Sequence, residues 1–123
     1  MDDRDRRDGD GTGAPERLVI ARVWRARATE EGFVSYRAHF TTAVLPALER
    51  LSGFSGATVL HQRDAASGDA EVIVMTRWLS MDDVRGFAGD EPGRAVVEPA
   101  AHACLTWADD RVEHYDVALE NTH

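Results

Sequence analysis

Few residues in this chain are suited to chemistry, and most of them lie in alternating segments that fix which way they point. Arg22 stands between Ile20 and Trp24 in a strand-like run, so it shares a face with apolar side chains. A charge on such a face needs a carboxylate partner or a cavity open to water. Arg22 is therefore either half of a structural ion pair or a catalytic group that orients an anionic substrate. Trp24 and Trp78 fall on the same face of neighbouring strands, and with Tyr36 and Phe87 they could wall a cavity for a flat aromatic molecule. Ordinary core packing would account for the same four rings. His39 and His61 are lone acid–base candidates, and each reads equally as a surface or hydrogen-bonded residue.

Other chemistries lack their residues. The histidines at 39, 61, 102, 114 and 123 have no metal-ligand spacing, and Cys104 is the single cysteine, so no metal and no intrachain disulfide is expected. No serine stands in a G-x-S-x-G setting, and no dinucleotide or phosphate-binding loop occurs. All 14 basic residues are arginine, which excludes a Schiff-base lysine. Asp82 and Asp83 sit at a helix start, where acidic residues are expected from the helix dipole rather than as a catalytic pair.

The elements that position these residues follow from periodicity. Residues 18–26 alternate as a first strand with both faces largely apolar. Thr29 caps a helix with Glu30 and Glu31 in its first turn and a stripe of Phe33, Tyr36, Phe40, Val44, Ala47 and Leu51. Pro46 should interrupt this helix near Thr42, and Gly53 should close it. Residues 54–63 and 71–79 read as a hairpin, and Ser80 with Asp83 opens a short helix that ends at Gly89. Helical turns are expected around residues 95–97 and 100–105, and a last strand over residues 111–119. The order β-α-β-β-α-β predicts an α+β, ferredoxin-like domain with four antiparallel strands and helices on one face.

Helices on one face leave the other uncovered, yet the first and third strands are apolar on both sides. An identical sheet related by a two-fold axis would cover it, with Val19, Ala21, Val23, Ile73 and Met75 near the contact, so a homodimer is expected. Residues 1–16 are almost devoid of apolar side chains and read as a disordered charged tail ahead of a single domain over residues 17–120. The net charge of −8 argues against nucleic acid as a partner. No apolar run approaches the roughly 20 residues of a membrane span, and no secretory leader is evident, so a cytoplasmic location is expected.

Several segments carry a family resemblance: LVIARVWRA, AVLPALERL with its late proline, GFSGATVLHQRD, and VIVMTRWLSMDDVRGFAG. Over residues 18–119 the chain resembles the antibiotic biosynthesis monooxygenases of the dimeric α+β barrel group, and its C-terminal part looks like actinobacterial members. The resemblance implies a cofactor-independent monooxygenase acting on a small aromatic, polyketide-like substrate, with no cofactor. The alternatives are a non-catalytic dimeric binding or stress-response protein, or noncanonical heme binding. The heme-degrading branch uses an Asn on the first strand, a Trp ending the third and a His on the later helix. Here Trp78 matches the Trp, the first strand has no Asn, and Val97 stands in the place of the His.

Overall fold

In a computed structural model, which describes residues 19–122, the chain runs through β1 (Ile20–Thr29), α1 (Glu30–His39), a π-helical turn (Phe40–Val44) and α2 (Leu45–Leu48). It continues through β2 (Phe54–Arg63), β3 (Asp69–Trp78), α3 (Met81–Ala88), α4 (Pro99–His102), β4 (Trp107–Ala108) and β5 (Glu113–Asp116). The expected tail, residues 1–16, lies outside the described residues.

The strands form one antiparallel sheet in the order β2-β3-β1, with β4 and β5 sharing the far side of β1. This is the ferredoxin-like arrangement expected from the element order. Ile20 pairs with Trp78, Arg22 with Thr76 and Trp24 with Val74, so these side chains share the helix-covered face. There the alternation of β3 is complete: Val72, Val74, Thr76 and Trp78 are buried, and Glu71, Ile73, Met75 and Arg77 between them are half-buried. On the opposite face Ala21 and Val23 are buried, while Leu60 and Tyr115 remain about half exposed.

Local chemistry sets the helix boundaries. The Thr29 hydroxyl accepts from the Gly32 amide at 2.9 Å and the Ser80 hydroxyl from the Asp83 amide at 3.1 Å, each satisfying an orphan donor of a first turn. Gly53 has φ of +80°, a left-handed conformation, and a Cβ there would fall 2.1 Å from the Asp83 side chain. Pro46 has no amide to offer the Thr42 carbonyl, and the helix interrupts just before it, where the Leu45 amide reaches back five residues to the Phe40 carbonyl.

That π turn determines which side chains face the sheet. In a continuous α-helix, residues four apart drift by about 40° per step, because a turn holds 3.6 residues. A wider turn in the middle rotates the chain back, so Tyr36, Phe40, Val44 and Leu48 all line the same cavity. The stripe therefore ends on buried Leu48, and Ala47, expected in it, is exposed.

Two expectations are corrected. Residues 95–97 form no helical turn: Arg94 bridges to Arg111, and the Ala95 amide donates to the Asp110 carbonyl at 2.9 Å. The β-branched Val96 and Val97 favour extended backbone, and Glu98 is held extended by the following Pro99, which opens α4 at its first position. Of the expected last strand over 111–119 only β5 (Glu113–Asp116) forms, and a two-residue β4, not expected, pairs with β1 ahead of it. Residues 110–112 pull away from β1 to meet the loop at residues 93–95, leaving β4 and β5 as separate contacts on one edge.

Candidate functional site

Between the sheet and the helices lies a cavity of about 100 Å³. Arg22 and Trp24 enter it from β1, Val74 and Thr76 from β3, and Tyr36, Phe40, Val44 and Leu48 from the long helical segment. Phe87 of α3 and the stretch Val96–Glu98 complete the wall, with Ala101 and Val112. The lining is mostly apolar, with four polar side chains: Arg22, Tyr36, Thr76 and Glu98.

Arg22 is only 4% exposed, and among the described residues no carboxylate lies within ion-pair distance of it. Its guanidinium donates instead to the carbonyls of Pro92 and, at 2.9 Å, Arg94, and meets His114 Nε2 at 3.1 Å. The Phe87 ring lies 5.5 Å from the guanidinium carbon and stacks at 5.4 Å on Trp78. Burial lowers the Arg22 pKa to about 10, so the group stays charged at neutral pH. A guanidinium has five donors; three are engaged, so two have no partner among the described residues. A buried cation of this kind suits an anionic oxygen.

The other polar groups are also incompletely paired. The Thr76 hydroxyl accepts from the Trp78 indole at 2.9 Å and keeps its own proton available. Tyr36 is 4% exposed, its hydroxyl bonds to none of the described residues, and burial raises its pKa well above the usual phenol range, with the Cys104 charge adding to the effect. The Trp24 indole donates at 2.7 Å to the Asp109 carbonyl, which fixes the ring and leaves its surface as cavity wall.

Of the residues singled out in the sequence, Arg22, Trp24, Tyr36 and Phe87 are brought together around one cavity. Trp78, proposed for substrate binding, is fully buried behind Phe87 and Phe54 and forms no part of the wall. His39 also lies outside the lining, and its Nε2 meets Glu98 Oε1 at 3.0 Å, touching the wall through that carboxylate. His61 is exposed and stacks on Phe33 with ring centroids 4.2 Å apart, away from the cavity. Sequence reasoning passed over Thr76, Glu98 and His114. Thr76 and His114 could have been found from register, since both pair directly with Arg22 across the sheet.

Among the described residues no group of three or more His, Cys, Asp or Glu could hold a metal ion. No described histidine lines the cavity, and its volume is a fraction of the roughly 300–1,000 Å³ of sites for drug-sized ligands. These residues do not fit a heme. Among the described residues no helix is long and apolar enough to cross a membrane.

No protein-family profile matches the chain, and no curated protein matches its sequence. Solved structures do match its backbone. SnoaB, a cofactor-independent oxygenase from Streptomyces nogalater, superposes with a TM-score of 0.54 at 18% identity, covering 85% of this chain and 96% of its own. A candidate antibiotic biosynthesis monooxygenase from Bacillus cereus gives 0.53 at 20% identity, covering 86% and 99%. The monooxygenase from the gene ActVA-Orf6 of Streptomyces coelicolor, solved with nanaomycin D, gives 0.51 at 15% identity, covering 87% and 92%. The chain thus has the α+β ferredoxin-like fold of the antibiotic biosynthesis monooxygenases.

Proposed function

We propose that this protein is a cofactor-independent monooxygenase acting on a small, flat, electron-rich aromatic molecule that binds as an anion. The observation that carries the reading is Arg22: a buried, charged guanidinium that, among the described residues, has unpartnered N–H groups and no carboxylate partner, and a place in an aromatic-walled cavity. A structural ion pair would have consumed that charge. Arg22 would hold the substrate oxyanion, and Trp24, Tyr36 and Phe87 would hold the ring. The fold shared with oxygenases of known structure supports the same class.

The chemistry asks little of the protein beyond binding the anion. A phenolate places electron density on the ring carbon para to its oxygen. That carbon bonds dioxygen, and the resulting hydroperoxide loses water to leave a second carbonyl, so that one dioxygen is consumed and one water released. Arg22 favours the ionised substrate, and the apolar wall excludes bulk water from it. At about 100 Å³ the cavity is of the order of a single aromatic ring, so a two-ring substrate requires the lining side chains to give.

Oxygen uptake with 1-naphthol tests this reading, since its oxidation to 1,4-naphthoquinone has that stoichiometry. Uptake above autoxidation, with quinone formed and the rate lost in Arg22→Met, is expected. Uptake at the background rate, with an anionic aromatic still bound, would leave the second reading, a dimeric small-molecule-binding protein of the same fold. The incomplete pairing inside the cavity favours a bound ligand under either reading.

A further inference from the structure

His114 takes no part in the chemistry above, yet both the strand register and a hydrogen bond hold it against Arg22. It stands directly opposite Arg22 in the β1–β5 register, as Thr76 does in the β1–β3 register, so the three form one polar row across the helix-covered face. Its Nε2 lies 3.1 Å from Arg22 Nη1. A guanidinium has only donors, so Nε2 must accept, and the imidazole must be neutral with its proton on Nδ1. With the Pro92 and Arg94 carbonyls it makes a third acceptor around one end of the guanidinium.

We propose that His114 is the positioning residue of the anion site: its neutral imidazole fixes the Arg22 guanidinium, and protonation of that imidazole releases it. The site then holds anionic aromatics at neutral pH and lets them go in acid. This inference rests on the reading of Arg22 as the oxyanion holder.

The surroundings leave Arg22 as the charge that governs His114. Thr76 on β3 and Phe87 on α3 are uncharged. In the loop before α4, Glu91 and Arg94 pair with each other at 3.2 Å, and Glu98 bonds His39. Asp116 follows two residues along β5, on the same face. Burial and the Arg22 charge both lower the His114 pKa from its ordinary 6.5, so the acid transition falls below that value.

Two measurements test the proposal. In nitrogen-15 NMR, His114 should show an unprotonated Nε2, and its titration midpoint should rise in Arg22→Met. Binding of salicylate, whose carboxylate stays ionised well into acid, should be followed by Trp fluorescence from about pH 8 to about one unit below the His114 midpoint found by NMR. Wild-type affinity should fall roughly tenfold per pH unit below the His114 midpoint, because only the neutral form is competent. His114→Gln keeps an acceptor that cannot be protonated in this range, and its affinity should stay flat. A protonated Nε2, a midpoint unmoved by Arg22→Met, or a His114→Gln variant that keeps the wild-type acid limb overturns the proposal. Salicylate failing to bind at any pH overturns it through its premise, and an intact NMR signature would then assign the fault to the reading of Arg22.

Discussion

At Arg22 the strand alternation and the loop contacts make different contributions. Alternation alone put a charge on the buried face, and the structure replaces the expected choice of partners with two loop carbonyls and a neutral histidine. Arg22→Met therefore strands no carboxylate among the described residues. Its stability should change by no more than about 1–2 kcal/mol, the balance of a removed buried charge and two carbonyls losing a donor. A broken buried ion pair would instead cost roughly 3–5 kcal/mol in a urea titration. Tyr36→Phe removes a buried hydroxyl that bonds no described residue, and should leave the melting temperature equal or higher. His114 adds a pH dependence to the fold itself. Its pKa is lowered in the folded state, so the unfolded chain binds the proton more readily and stability should fall as pH drops from 6.5 through the lowered value. Melting curves of wild type and His114→Gln should diverge over that interval and coincide above it.

At the scale of elements, features with a local cause were legible. The caps at Thr29 and Ser80, the extent of β2, and the interruption ahead of Pro46 each follow from a few neighbouring residues. The break between β4 and β5 was not legible, because it depends on residues 93–95 pairing with residues 110–112 across fifteen or more positions of sequence. The depth of Trp78 was hidden for a related reason. Alternation assigns a side chain to a face and cannot tell a cavity wall from the layer behind it, which here depends on where α3 sets Phe87. Gly53→Ala tests the junction between α2 and β2. A left-handed residue gains roughly 1–2 kcal/mol of strain with a side chain, and the new methyl would collide with Asp83, whose hydrogen bonds with Ser80 open α3. The variant should melt well below wild type, and an unchanged melting temperature would mean that the two elements are not coupled there.

For the whole molecule, the outer face of the sheet keeps its sequence-level implication. Ala21 and Val23 are already buried in the single chain, so the apolar surface left for a second copy is the half-buried Ile73 and Met75 with the half-exposed Leu60 and Tyr115. Light scattering of the full chain should give twice the monomer mass, and Ile73→Asp should dissociate or unfold it, since an unpaired charge in such a contact costs several kcal/mol. A folded, monomeric wild type would remove the dimer from the account without touching the cavity, whose lining residues all come from a single chain. The central claim is that this cavity is built around Arg22 to hold an anionic aromatic ring. Isothermal titration of 1-naphthoate into wild type and Arg22→Met at neutral pH tests it most directly. The account predicts one site per chain in the wild type, and an affinity at least about tenfold weaker in the variant, the loss expected for one charged hydrogen-bonding contact. Equal affinity in the two proteins, or no binding to a folded wild type, would contradict it.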